Sequence, residues 1–231
     1  MRLESLSVFM PAYNEEESVA QALEECARAL PQLAEDFEVI VVNDGSKDRT
    51  KEILDTIKPS LSFLKVCHHE RNQGIGAALR TGIAEASKEF IFITSADLQF
   101  NIRELTAFIP LSKTADIVSG VRLDRPSYGW YRRMVTAINL LLLRLFFGFR
   151  TQDPNWVKLV RREVFKTIRI TSPRFFCLAE LLIQAKQQKY RIAEIEVHSS
   201  KRKYGKSVGG TLRAAFTTFF ELCSFWLRSR K

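Results

Sequence analysis

The sequence predicts an α/β protein, a mostly parallel β-sheet with helices on both faces. Three observations predict it. Short apolar runs rich in β-branched and aromatic residues alternate with helical patterns through the first half. The chain shows no repeat, low-complexity segment or long linker. Of its 231 residues 46% are hydrophobic and 26% charged, which excludes a disordered chain and allows a core without disulfides.

The first strand is predicted at residues 6–10. Residues 15–30 then place Val19, Ala22, Leu23, Cys26 and Leu30 on one helical face. A strand at 38–42 and a helix at 48–57 follow, then a strand at 61–67, a helix at 74–86 and a strand at 90–94. Residues 116–121 form a further strand. Residues 130–149 read as a helix that is apolar on nearly every side, interrupted by Arg132, Arg133 and Arg144. Strands at 156–160 and 192–197 are followed by a basic loop at 199–207. The last helix, 211–227, is rich in Phe and Trp and ends in Arg228, Arg230 and Lys231.

Charge divides unevenly. Residues 1–119 carry 12 Lys/Arg against 19 Asp/Glu; residues 120–231 carry 23 against 7. A basic second half predicts an anionic partner: phosphate, nucleic acid or lipid headgroups. Charge is the sole support for nucleic acid, since no aromatic-basic base-reading motif is present. Cys26, Cys67, Cys177 and Cys223 contain no CxxC pair, which argues against a zinc site and for a reducing compartment. The apolar run at 138–147 is too short to span a bilayer, and no basic-then-apolar leader opens the sequence, so neither secretion nor membrane spanning is expected. His68, His69 and His198 are not spaced as metal ligands and read as incidental.

In a parallel sheet, ligands bind beyond the carboxyl ends of the strands. Three polar clusters fall there: Pro11-Ala12-Tyr13-Asn14-Glu15, Asn43-Asp44-Gly45-Ser46, and Ser95-Ala96-Asp97-Leu98-Gln99. Asp44 can accept from a nucleobase N–H, or its turn can cap the following helix. The Gly74-Ile75-Gly76 entry to a helix can hold an anion or be a plain turn. Asp97 and Gln99, two apart, face the same way in extended chain and suit Mg²⁺ or Mn²⁺ shared with a diphosphate; helix capping near Asn101 is the alternative.

These segments, in this order with Asn72-Gln73-Gly74-Ile75-Gly76, resemble the family 2 glycosyltransferases of the GT-A fold. Among those, the dolichyl- and polyprenyl-phosphate sugar synthases are most similar. The resemblance is close over residues 6–122 and looser beyond. It implies that Pro11, Ala12, Tyr13, Asn14, Glu15, Asp44, Gly74, Ser95 and Ala96 hold the nucleotide. Asp97 and Gln99 would bind Mg²⁺ or Mn²⁺. Arg122, Arg132, Arg133, Arg202 and Lys206 would surround an acceptor phosphate, and Asp97, Arg122 and Asp153 would form the catalytic set.

Two departures stand out. Ser95 replaces the first Asp of the family's Asp-x-Asp, which removes a negative charge and leaves weaker metal binding or an inactive site as alternatives. Asp153-Pro154-Asn155-Trp156-Val157-Lys158 lacks the family's Gly-Phe, so Asp153 is either catalytic or part of a turn.

The implied reaction is inverting displacement of a nucleoside diphosphate by a polyprenyl or dolichyl phosphate. A phosphate acceptor is already anionic and needs no general base. A hydroxyl acceptor on a glycan, or a catalytically weakened binding subunit, are the rival readings. The chain divides into a donor half at 1–122, an acceptor half at 123–207 and an amphipathic tail at 208–231. The apolar helices suit a membrane interface, placing the protein peripherally on a cytoplasmic membrane face, with a membrane-protein partner or a second copy as further partners.

Overall fold

The computed structural model describes residues 1–123, 130–200, 202, 204 and 211–229, apart from the side chains of Tyr131, Arg132, Leu212 and Arg213. Seven strands form one sheet: β1 (Leu3–Ala12), β2 (Ala34–Asn43), β3 (Leu64–His68), β4 (Phe90–Ile93), β5 (Ile117–Arg122), β6 (Lys158–Arg161) and β7 (Ile192–Val197). Their spatial order is β3-β2-β1-β4-β6-β5-β7. All pairings are parallel except those of β6, which runs antiparallel to both β4 and β5.

The helices are α1 (Val19–Leu33), α2 (Thr50–Ile57), α3 (Ile75–Glu85), α4 (Phe108–Leu111), α5 (Trp130–Phe147), α6 (Cys177–Gln187) and α7 (Leu212–Ser229). Alternate residues of the central strands feed two cores. Val8, Val39, Val41 and Phe92 pack under α1, α2 and the 102–107 turn. Phe9, Ile40, Ile91 and Ile93 pack under α3 and α6, where α5 and α7 contribute Leu143, Leu222 and Phe225. This two-sided burial is why the strands read as continuous apolar runs.

Most predicted boundaries agree within a few residues, and β7 is found at its predicted limits. Helix α1 runs on past Pro31 to Leu33, because burial of Leu30 and Leu33 outweighs the one missing N–H in its last turn. Helix α6 has no counterpart in the sequence reading. Residues Cys177 to Ile183 are all buried, so no polar stripe marks its period.

At the sheet's amino edge, Glu38 is buried and fully engaged. It accepts from Ser7 Oγ at 2.7 Å and from Ser87 N at 2.7 Å, and pairs with Lys65 Nζ at 2.8 Å. Burial opposes its charge, but these donors outweigh burial and hold the carboxyl down to about 2.

Helices α5 and α7 lie together, with Phe146 stacked on Trp226 at 5.0 Å and Phe147 against Phe225 at 5.7 Å. Several of their side chains are exposed: Leu145, Phe216 and Phe220 are each more than 60% exposed. Glu221 of α7 accepts from the N–H groups of Arg174 (2.9 Å) and Phe176 (3.1 Å), which anchors α7 at the start of α6. Burial raises the Glu221 carboxyl above its ordinary range, partly offset by those two donors.

Candidate active site

Sheet register aligns the strand ends. Ala12 pairs with Asn43, Phe9 with Ile93 and Arg122 with Val197, so the segments after β1, β2, β4, β5 and β7 share one edge. Because β6 is antiparallel, the residues that precede it, 153–157, arrive at this same edge.

The loops after β1 and β2 interlock. Asn14, in left-handed conformation at φ 55°, donates its N–H to Ser46 Oγ and accepts from Lys47 N through Oδ1. Glu15 N donates to Thr50 Oγ1 at 2.8 Å. Glu16 and Asp48 close the seam: Glu16 N donates to Asp48 Oδ2, and Arg49 N to Glu16 Oε2.

Asp44 is 3% exposed. Its Oδ1 accepts from Gln73 N (2.9 Å) and meets His69 Nδ1 (2.7 Å); its Oδ2 accepts from Gly74 N (2.7 Å). His69 also meets Thr81 Oγ1, so it ties β2 to α3 and is not incidental. Gly45 (φ 67°) crosses the Arg71 backbone so closely that a Cβ would lie 2.3 Å from it.

The start of α3 is likewise held internally, with Gly76 N donating to Pro173 O at 2.8 Å and Ala77 N to the same oxygen at 3.3 Å. With Gly74 N on Asp44, the first N–H groups of this helix are held by protein partners, which favours the plain turn of the two readings the sequence left open.

Beyond β4 a turn presents the acidic group. Asp97 Oδ1 accepts from Ser95 Oγ (2.5 Å) and Gln99 N (3.1 Å); Oδ2 accepts from Gln99 Nε2 (2.8 Å). Asp97 and Gln99 do face one cavity, but through Leu98 at φ 59° and not through extended chain. The left-handed residue reverses the chain between them. Ser95 therefore orients Asp97 by a hydrogen bond where a second carboxylate would repel it.

Arg122 and Asp153 form a two-pronged ion pair, Nε to Oδ2 at 2.7 Å and Nη2 to Oδ1 at 2.9 Å. The guanidinium lies over the Trp156 ring, 5.2 Å from its centroid. Arg202 reaches in from beyond β7. It pairs with Glu15 Oε1, stands 3.9 Å from Asp97 Oδ2 and donates to Tyr204 O. Burial raises the Glu15 carboxyl above its ordinary range, with Ser18 and Arg202 pulling the other way. Ser200 N donates to Gln99 O at 2.9 Å, which fastens this segment to the Asp97 turn.

Behind the wall Lys158 is 0% exposed, its Nζ 3.1 Å from Ser119 Oγ. Burial pulls its ammonium down to about 8, against the opposing pull of Asp153 and Glu194.

A cavity of about 870 Å³ unites these groups. Ser95, Asp97, Gln99, Arg122, Asp153 and Arg202 line it, along with Asn155, Trp156, Ser199 and Ser200. At its other end the lining is apolar: Met134, Ile138 and Leu142 from α5, and Ala215, Phe216 and Phe219 from α7.

The expected donor residues Pro11, Ala12, Tyr13, Asn14, Glu15, Asp44, Gly74 and Ala96 lie outside this lining, at the end of β1 and on the loops that follow the strands. Arg133 is exposed and away from the cavity, so the expected convergence of five cations is not found in full. Lys206 and the Arg132 side chain lie outside the described residues. Sequence reasoning missed His69, Asn155 and the burial of Lys158. A Lys in an otherwise apolar strand was the one available signal for the last.

Among the described residues no three His, Cys, Asp or Glu side chains group as a self-sufficient metal cage. One carboxylate and one amide oxygen source at the cavity wall fit a different kind of site. Mg²⁺ commonly takes one or two protein oxygens and completes its shell with substrate phosphate and water.

The model of the family described as glycosyl transferase family 2 matches residues 7–175. Undecaprenyl-phosphate 4-deoxy-4-formamido-L-arabinose transferase of Serratia proteamaculans is 27% identical over 209 residues, 89% of this chain and 63% of that protein. The Pseudomonas fluorescens protein of the same name is 27% identical over 210 residues, 90% of this chain and 61% of its own. The chain thus spans less than two thirds of the length of these relatives. Among solved structures, glucosyl-3-phosphoglycerate synthase from Mycobacterium tuberculosis, in complex with Mn²⁺, UDP and phosphoglyceric acid, has a TM-score of 0.74. It is 19% identical, with 96% of this chain and 78% of that one covered, a likeness of fold.

Proposed function

The chain belongs to glycosyl transferase family 2, and we propose that it moves a sugar from a nucleotide-sugar donor to a polyprenyl phosphate. The observation that carries this reading is the two-ended cavity. Carboxylate, amide and guanidinium groups lie at one end and α5 and α7 side chains at the other. An acceptor with an anionic head and a long apolar tail matches both.

The donor diphosphate would lie at Asp97 and Gln99, its nucleoside toward the loops of residues 11–15 and 44–46. A divalent metal held there would neutralise charge growing on the leaving diphosphate. Arg202, beside Glu15 and Asp97, offers a second cation to the same oxygens. Arg122 would receive the acceptor phosphate: Asp153 and Trp156 hold its guanidinium in place before the acceptor arrives, so little ordering remains at the moment of reaction. A phosphate oxygen attacks the anomeric carbon, the bond to the diphosphate breaks, the nucleoside diphosphate leaves, and configuration inverts.

A hydroxyl acceptor would need a free base. Both Asp153 oxygens accept from Arg122, which favours the phosphate acceptor and gives Asp153 a positioning role. Ser95, bonded to Asp97, keeps that carboxylate oriented, which favours an active enzyme over a weakened subunit.

The exposed apolar side chains of α5 and α7 would lie in a membrane interface, with the protein peripheral on the cytoplasmic face. No helix among the described residues is long and apolar enough to cross a membrane. In this reading residues 1–121 supply most of the donor site, with Arg202 reaching back to it, Arg122 and the 153–156 segment face the acceptor head, and residues 208–231 meet the membrane.

The test is turnover in liposomes carrying undecaprenyl phosphate, with a panel of UDP- and GDP-sugars and Mn²⁺ or Mg²⁺. Sugar should appear on the lipid as nucleoside diphosphate is released. Turnover with undecaprenol or a soluble glycan, and none with the lipid phosphate, overturns the reading.

A further inference from the structure

Lys158 carries a charge into the protein core, and the reaction as described makes no use of it. It stands where β5 and β6 part. Ser119 and Lys158 are the last register pair of those strands, and Gly120 N donates to Val157 O at 2.9 Å just beyond. Farther along the same two segments lie Arg122 and Asp153. Lys158 Nζ donates to Ser119 Oγ at 3.1 Å and reaches Trp156 O at 3.5 Å. Both acceptors are neutral, so the buried ammonium is balanced through space, by Asp153 first and then by the exposed Glu194. An apolar side chain of similar volume would fit at lower cost, so the charge points to a role in the neighbouring site.

The acceptor seat supplies that role. Asp153 takes both prongs of Arg122, and an ion pair carries no net charge. By itself the pair fixes the guanidinium but attracts a phosphate weakly. A second cation behind Asp153 restores the attraction, since charges act over a longer range in the protein interior than in water. The Trp156 ring that carries the Arg122 guanidinium at 5.2 Å belongs to the residue whose carbonyl Lys158 reaches. We propose that Lys158 is a positioning residue of the acceptor site: from behind the wall its ammonium offsets Asp153 and holds the Trp156 carbonyl, so that Arg122 meets the phosphate fixed in place and with its positive charge uncancelled. The inference rests on the phosphate-acceptor reading above and adds a residue to that site.

The charge is removable. Burial brings the Lys158 ammonium down to about 8; Asp153, Glu194 and Cys177 oppose that fall and Arg122 adds to it. Burial also pushes the Cys177 thiol up to about 12, so it stays neutral while Lys158 titrates. Arg122 should therefore hold an acceptor phosphate strongly below pH 8 and weakly above it.

Turnover on undecaprenyl phosphate in phosphatidylcholine liposomes tests it from pH 7 to 9.5, with Mg²⁺ and the nucleotide sugar that gives turnover in the panel above, on wild type, Lys158→Met and Lys158→Gln. In wild type KM for the lipid should rise about tenfold across that range, with KM for the donor unchanged. Both variants should start about tenfold above wild type at pH 7 and lose that difference by pH 9.5. Titrations that the proteins share, the acceptor phosphate's included, cancel in the ratio. Gln keeps a hydrogen-bond donor and removes the charge, which separates charge from packing. A Lys158→Gln protein with wild-type KM at pH 7 overturns the inference, as does a variant-to-wild-type ratio that stays constant with pH, or an equal rise in KM for donor and lipid. Should neither variant fold, the wild-type profile decides: a KM for the lipid that does not rise by pH 9.5 overturns it. Turnover with undecaprenol and none with the lipid phosphate fails the acceptor reading first and takes this inference with it.

Discussion

Replacing Lys158 by Met should stabilise the protein at neutral pH and reverse that advantage in alkali. Lys158 is 0% exposed, and burial brings its ammonium from 10.5 to about 8. That fall is worth about 3 kcal/mol, at about 1.4 kcal/mol per tenfold change in proton affinity. The sign follows from proton counting. Between pH 8 and 10.5 the unfolded chain holds this proton and the folded chain has released it, so wild-type stability rises with pH through that window. Below pH 8 both states are protonated and the full penalty applies.

Met nearly matches the volume and removes the charge, but it leaves Ser119 Oγ, 3.1 Å from Lys158 Nζ, without that donor. That loss offsets about 1 kcal/mol. The variant should exceed wild type by about 2 kcal/mol at pH 7, or roughly 4–8 °C in melting temperature for a chain of this size. Near pH 10 the two should cross. Paired thermal melts of both proteins from pH 7 to 10, followed by circular dichroism, measure this, since other titrating groups cancel in the difference. A difference that stays flat across that range would refute the argument, and would mean that Asp153 and Glu194 fully compensate the buried charge.

Glu38→Gln should act in the opposite pH range. The wild-type carboxyl is held to about 2 against an ordinary 4.5, so its stabilisation, up to about 3 kcal/mol, is present above pH 4.5 and lost as pH falls toward 2. Acid-unfolding curves should show that step in wild type and lack it in the variant. Asp97→Asn should abolish metal-dependent nucleotide binding without unfolding the protein; calorimetry showing equal nucleotide affinity with and without Mn²⁺ in wild type would remove the metal role.

Much of the fold was legible because it depends on local pattern. Residues 192–197 declare a strand through β-branched apolar side chains, and 15–30 a helix through its 3.6-residue period; neither needs a distant partner. Strand ends in a parallel sheet share an edge, so Asp97 and Gln99 could be assigned to one site from order along the chain. What the sequence did not carry was set by contacts between remote segments. The direction of β6 comes from pairing with both β4 and β5, and that direction brings Asp153, Asn155 and Trp156 to Arg122. Asp44 is an acidic residue in a turn by sequence, but its carboxylate binds the backbone of residues 73 and 74. Helix α6 escaped notice because burial on all sides erases the polar stripe. Whether an apolar side chain of α5 or α7 faces the core or the outside depends on which partner covers it, as with buried Phe225 and exposed Phe220 of one helix. Hydrophobicity is a property of the residue, whereas burial is a property of its neighbours, and those are chosen by the tertiary structure.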